Sequence, residues 1–133
     1  MIQKVLCIDD DPISIMICRK VISRSMFATE TDAANNGEKA LRYLEDIIET
    51  EGSIYPELIL LDLNMPIMNG WEFLENYEQS FAKNFDSKIV ILSSTIDPED
   101  LKKSQQFSTV ISSISKPITA DSLQELKKKF RGK

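Results

Sequence analysis

Histidine is absent from the 133 residues. That absence removes Ser-His-Asp and Cys-His nucleophilic catalysis, most zinc sites, and any role as a phosphohistidine carrier, because each requires an imidazole. Cysteine is scarce: Cys7 and Cys18 are the only two, they sit in apolar settings, and they form no Cys-x-x-Cys pattern. They read as reduced core side chains rather than a disulfide or metal pair. With 4 Gly and 5 Pro, the chain has too little of either for a collagen-like or low-complexity segment, and 42% hydrophobic with 28% charged residues excludes general disorder. No apolar run approaches the roughly 20 residues of a membrane span. Near the N-terminus, Val5-Leu6-Cys7-Ile8 meets acids before reaching the roughly 7 to 15 apolar residues of a signal peptide. A cytoplasmic protein with no membrane contact is expected. Positive charge is also in short supply, at 16 basic against 21 acidic residues and a net charge of -5, which excludes bulk attraction to nucleic acid and favours protein partners.

What is present is a chain of one-domain length in which short apolar runs alternate with segments of helical period. Lys4–Ile8 is a partly β-branched run stopped by acids, hence a strand. Asp11-Pro12 supplies a cap followed by proline at the first helical position, and Ser14, Ile17, Cys18, Val21 and Ile22 share one arc of a helix running to about Ser25. Phe27–Thr31 predicts a short second strand. Asn36-Gly37-Glu38 opens a helix with the buried stripe Ala40, Leu41, Leu44, Ile47 and Ile48, and Gly52 marks its exit. Leu58–Leu61 is continuously apolar, the pattern of a strand covered on both faces. A turn over Asn64–Gly70 leads into a helix carrying Trp71, Phe73, Leu74 and Tyr77 and extending toward Phe81. Ile89–Leu92 repeats the buried-strand pattern, and Asp97-Pro98-Glu99-Asp100 opens a helix with a thin apolar stripe. Val110–Ser115 is a weaker strand, and Leu123, Leu126 and Phe130 space a last helix. Such alternation builds βαβ units, so the fold class is α/β with a parallel sheet, right-handed crossovers and helices on both faces.

In an open sheet of this kind, ligands bind beyond the carboxyl ends of the strands. The residues ending the apolar runs are Asp9-Asp10-Asp11, Asp62, Ser93 and Lys116. Singly, each has an ordinary reading: a Lys-Pro pair is a strand-to-helix turn, a serine after a strand is a loop residue, and acids at a helix start serve its dipole. Together they form a site. Crowded carboxylates repel and need a cation, and hard oxygen ligands suit Mg²⁺. A metal and an ammonium group around one carboxylate are the equipment for receiving a phosphoryl group, with Asp62 as the candidate acceptor.

The order Ile8-Asp9-Asp10-Asp11-Pro12, Leu60-Leu61-Asp62-Leu63-Asn64-Met65-Pro66 with Met68-Asn69-Gly70, Leu92-Ser93-Ser94, then Lys116-Pro117 closely resembles the receiver domain of two-component response regulators. The resemblance spans nearly the whole chain and treats residues 1–133 as a single receiver domain. It implies a five-stranded parallel sheet in the order 2-1-3-4-5 sandwiched by five helices, a flavodoxin-like doubly wound fold. It also implies that Asp62 is the phosphoacceptor and that Asp10, Asp62 and the backbone carbonyl of Asn64 bind Mg²⁺, with Asp9 acting through a water. Asp11 becomes a helix cap. Ser93 matches the hydroxyl residue that turns to the phosphoryl oxygen, and Lys116 matches the lysine that pairs with it, usually before a cis proline. The partners implied are a sensor histidine kinase or histidine phosphotransfer protein and a downstream protein. Catalysis is confined to the chain's own phosphorylation and dephosphorylation.

One position departs from the family's pattern: three residues before the lysine, where an aromatic switch is frequent, stands Ser113. The response to phosphorylation is therefore expected to rest on Ser93 and the loop from Ser94 to Pro98, with Phe107 as the ring that could substitute. On the first helix, Met16 falls outside the core arc and Ile13 and Ile15 flank it. They form either an apolar docking patch beside the acidic site or ordinary isolated surface hydrophobes. The rival readings are a haloacid-dehalogenase-like Mg²⁺-dependent phosphatase using Asp9 and Asp11, and a binding-only receiver-like module. The former wants an acidic pair at a strand end after the lysine, where the chain has only Asp121 and Glu125 on the last helix. The latter is expected to lack part of the acidic and lysine set, which is complete here.

Overall fold

The computed structural model describes residues 2–65, 68–94 and 97–131, without the side chains of 130 and 131. Five strand-helix units follow one another: β1 (Ile2–Ile8) and α1 (Pro12–Arg24), β2 (Ala28–Ala34) and α2 (Gly37–Glu49), β3 (Leu58–Leu61) and α3 (Gly70–Ser80), β4 (Lys88–Ser93) and α4 (Pro98–Ser104), β5 (Val110–Ser115) and α5 (Ala120–Arg131). Every pairing is parallel and the order is β2-β1-β3-β4-β5. This is the expected doubly wound sheet.

Alternation along the central strands divides the core into two layers. Leu6 and Ile8 of β1 and Ile59 and Leu61 of β3 pack with Ala40 and Leu44 of α2 and Phe73, Leu74 and Tyr77 of α3. Val5 and Cys7, Leu58 and Leu60, and Val90 and Leu92 of β4 pack on the other face with Cys18 and Ile22 of α1 and Leu123 and Leu126 of α5. Cys7 and Cys18 are both buried in the core, as expected. No helix among the described residues is long and apolar enough to cross a membrane.

Side-chain caps fix where the helices begin. Asp11 accepts from the Ile13 N–H at 2.9 Å, Asn36 from Lys39 at 2.8 Å and Asp97 from Asp100 at 2.9 Å. Asn69 and Glu72 cap each other's backbone, each at 3.0 Å. Gly52 adopts φ +84° in the turn after α2.

Three expectations need correction or lie out of reach. β2 extends to Ala34 rather than ending at Thr31. It is an edge strand whose Glu30 and Asp32 are held by Lys4 of β1 at 3.9 and 3.4 Å, so its polar character hid its length. Ile48 is 47% exposed and not part of the α2 stripe, because it lies in the last turn, on the flank of the buried line through Ala40, Leu44 and Ile47. The Phe130 side chain falls outside the described residues.

At Gly70 a β-carbon would lie 2.7 Å from Leu63 Cα and 2.8 Å from the Asp62 carbonyl oxygen, both backbone atoms. At Gly37, also the first residue of a helix, it would meet only the Met68 side chain at 2.9 Å, which can rotate away. Gly70→Ala is therefore expected to lower the unfolding free energy by roughly 1–3 kcal/mol in urea denaturation, and Gly37→Ala by clearly less. Equal losses would show that the close approach at Gly70 is unimportant.

Candidate functional site

Strand register builds the site before any side chain is considered. Ile8 pairs with Leu61, and beyond that pair the Asp62 N–H donates to the Ile8 carbonyl at 2.9 Å. Asp9 and Asp62 therefore leave the sheet side by side. Ser93 pairs with Ser115, and the Lys116 N–H donates to the Ser93 carbonyl at 2.8 Å, bringing the β5 lysine to the same edge. The Lys116-Pro117 peptide bond is cis.

Asp9 and Asp62 are only 4% and 6% exposed, whereas Asp10 lies open at the rim. Carboxylate oxygens from all three lie within 4.8 Å of one another. The Lys116 ammonium is 2.7 Å from Asp9 Oδ2 and 3.6 Å from Asp62 Oδ2. Asp9 Oδ1 accepts from the Asp11 N–H at 2.9 Å, and Asp62 Oδ1 from the Asn64 N–H at 3.2 Å. Burial pushes the Asp62 carboxyl up to about 6; the Asn64 N–H opposes this, the charge of Asp9 adds to it, and Lys116 opposes it. Burial disfavours the charge on Lys116, but the hydrogen bond to Asp9 and the charges of Asp9 and Asp62 outweigh it and hold its pKa above the usual value.

One ammonium faces three carboxylates, so the cluster carries excess negative charge. An all-oxygen donor set with one open side fits a hard divalent cation better than a soft or nitrogen-seeking one.

Of the residues singled out in the sequence, Asp9, Asp10, Asp62 and Lys116 meet directly. Ser93 is fully buried at the end of β4, and Asn64 is exposed just past Leu63. Asp11 caps α1, as expected. Asp121 and Glu125 stand exposed on α5, apart from the strand ends. Met16 is 53% and Ile13 62% exposed, while Ile15 is half-buried. Phe107 stacks on Trp71 with ring centroids 6.2 Å apart, and Ser113 is half-buried on β5 opposite Ile91. Pro66 and Ile67 of the turn motif and Thr95 and Ile96 of the β4–α4 loop lie outside the described residues. The sequence places Ser14 only on a helix arc, yet its hydroxyl accepts from Lys116 Nζ at 3.3 Å. No local pattern marks that contact, because its partners are 102 positions apart.

A doubly wound sheet with an acidic cluster and a lysine at its carboxyl edge defines a class of phosphate- and metal-handling α/β domains. Comparison with known proteins narrows it. The response regulator receiver domain family model matches residues 5–128, and the chain belongs to that family. It is 36% identical over 97 residues to the nitrate/nitrite response regulator protein NarL of Escherichia coli K12, covering 73% of this chain and 40% of NarL. The chain thus spans less than half the length of that relative. A two-component response regulator from Cytophaga hutchinsonii superposes with a TM-score of 0.89 at 33% identity, covering 99% of this chain and 98% of that one. A regulator from Legionella pneumophila, at 24% identity, a TM-score of 0.82, and 98% and 99% coverage, shares the fold. The family match lends no support to the dehalogenase-like alternative.

The raised Asp62 carboxyl has a pH consequence for the metal-free protein. A proton held more tightly in the folded than in the unfolded chain stabilises the fold below the ordinary carboxylate range, and this contribution is lost as pH rises through about 6. Asp62→Asn is therefore expected to stabilise the EDTA-treated protein near neutral pH by on the order of 1 kcal/mol, and to lose that advantage toward about pH 4.5. Urea unfolding across pH measures it. A pH-independent difference would mean that Asp62 titrates as an ordinary carboxylate.

Proposed function

We propose that Asp62 accepts a phosphoryl group from a histidine kinase or histidine phosphotransfer protein, and that the modified chain signals by protein contact. The observation that carries this reading is a nearly buried carboxylate with two further carboxylates and one ammonium group around it. An Asp62 carboxylate oxygen attacks phosphorus, the O–P bond forms as the donor's N–P bond breaks, and the leaving imidazole takes up a proton. Lys116, 3.6 Å from Asp62 Oδ2, is placed to pair with an oxygen of the arriving group, and the Ser93 hydroxyl is the candidate second partner. Asp10, Asp62 and the Asn64 carbonyl, with Asp9 through an intervening water, would hold Mg²⁺, which supplies neutralisation of charge on the transferring oxygens. Hydrolysis by water returns Asp62 to its free state, so the chain acts on itself rather than turning over a second substrate.

Exposed Ile13 and Met16 on α1, close to the capping Asp11, support docking of a donor's helices beside the site. The family assignment supports a cytoplasmic setting and one receiver domain over residues 1–133.

Acetyl phosphate with Mg²⁺ is expected to phosphorylate the chain, as read by intact mass. Asp62→Asn or EDTA should abolish the modified fraction; persistence in either case would overturn the assignment. Mg²⁺ alone should stabilise the fold by about 1.4 kcal/mol at a tenfold excess over Kd, through Asp10 and Asp62. A melting temperature that responds no differently to Mg²⁺ than to monovalent salt of equal ionic strength would speak against the metal site.

We further infer that the readout runs through Ser93 and the loop into α4. Beryllofluoride, a phosphoryl mimic, should produce its largest NMR shifts over residues 93–98. A dominant reorientation of Phe107, with partner binding lost in Phe107→Ala, would assign the readout to the ring instead.

A further inference from the structure

We propose that Ser14 is a positioning residue that holds the Lys116 ammonium beside Asp62. The proposal rests on the Asp62 reading above and adds to it a residue on α1 that the family resemblance does not assign. An ammonium group has three N–H donors and no acceptor. Among the described residues, three acceptors surround Lys116 Nζ: Asp9 Oδ2 at 2.7 Å, Ser14 Oγ at 3.3 Å and Asp62 Oδ2 at 3.6 Å. Ser14 is the only neutral one of these.

The direction of the Ser14 bond is set from both ends. Lys116 can only donate, so Ser14 Oγ accepts, and the Ser14 proton points to Asp11 Oδ2 at 3.4 Å. Asp11 is itself fixed as the α1 cap by the Ile13 N–H at 2.9 Å. A chain of contacts therefore runs from the start of α1 through Ser14 to the β5 lysine. Beside the lysine lies a cavity of about 40 Å³ whose wall includes Ser14, Cys18, Leu92 and Ile118. Its lining is mainly apolar, so it gives the lysine stem room to shift while offering the ammonium few other acceptors.

Ser14 matters most when the carboxylates are otherwise engaged. A divalent cation held by Asp10 and Asp62, with Asp9 through a water, would compete with Lys116 for the charge of these carboxylates, and its own charge would repel the ammonium. The attraction of Ser14 is unaffected by that competition, because a hydroxyl already donating to Asp11 is no part of the carboxylate set. It keeps the ammonium at the edge of Asp62, where the new phosphoryl oxygens arrive. Ser14 touches neither donor nor phosphoryl group and acts through Lys116.

Ser14→Thr and Ser14→Val form the decisive pair, since their side chains have the same shape and differ by the hydroxyl; Ser14→Ala is the third variant, and alanine favours helix over serine. With acetyl phosphate and Mg²⁺, loss of a hydrogen bond as long as 3.3 Å, and so no stronger than an ordinary uncharged one, is expected to lower the maximal phosphorylation rate roughly threefold to tenfold in the Val and Ala variants. The half-saturating donor concentration should stay unchanged, and Thr should restore the rate to within about twofold. In the metal-free protein, hydrogen exchange at the Lys116 ammonium, followed by ¹⁵N NMR, should speed up in Val and Ala but not in Thr. Equal maximal rates in Thr and Val, or a Lys116 exchange rate indifferent to the hydroxyl, would overturn the proposal. Should the unsubstituted chain take up no phosphoryl group, the Asp62 reading falls and the catalytic role of Ser14 falls with it, while the NMR arm alone decides whether Ser14 positions Lys116.

Discussion

Two carboxylates forced together out of water are the constraint around which this molecule is arranged. Asp9 and Asp62 stand side by side because β1 and β3 are in parallel register up to Ile8 and Leu61. Left alone, such a pair would separate or take up a proton. They cannot separate, since both strands are buried on both faces and a shift of either would expose a full layer of core. Apolar packing thus holds in place a repulsion that the site itself does not relieve, and Lys116 offsets only part of it. The remaining negative charge is what makes the edge receptive to a cation.

The same layering decides how closely other elements approach. α3 comes so near the chain after Asp62 that only glycine fits at its first residue, which ties that helix to the acidic loop through backbone contact. α4 is held differently. Ser104 is its one buried residue among those described, and Leu101 is 44% exposed. Its region is joined to α3 by the Trp71–Phe107 stack and by the Lys103 ammonium, 4.7 Å above the Trp71 ring. A helix with so little apolar burial shifts at lower energetic cost than α1, α2 or α3.

The central strands were legible in the sequence for the reason that makes them rigid: burial on both faces demands unbroken apolar runs such as Leu58–Leu61 and Ile89–Leu92. Helix starts were equally plain, because Asp11, Asn36, Asn69 and Asp97 are capping residue types in capping positions. The apolar pattern understates the length of β2 because an edge strand needs only one paired side and carries charge on its exposed positions. Ile48 misled because periodicity reports a direction around the helix axis, whereas burial also depends on whether that turn still lies over the sheet. The acidic and lysine residues were found from their places at run ends. Which of Asp9 and Asp10 is buried, and that Ser14 reaches Lys116, depend on side-chain directions that one-dimensional spacing does not carry.

The serine at position 113 gains a physical setting from the sheet. Ile114 packs into the layer of α1 and α5, so alternation turns Ser113 to the opposite face. Phe107, Val110 and Trp71 pack against the layer on that opposite face. Aromatic mass is therefore present there, but it is supplied from α3 and from the chain entering β5, and it is already stacked. A small residue at 113 cannot register a change by moving a ring between solvent and core, since it has no such area to bury. On the readout proposed above, a rearrangement at Ser93 would pass to α4 along the chain that joins them, and the weakly buried α4 has little packing to resist it.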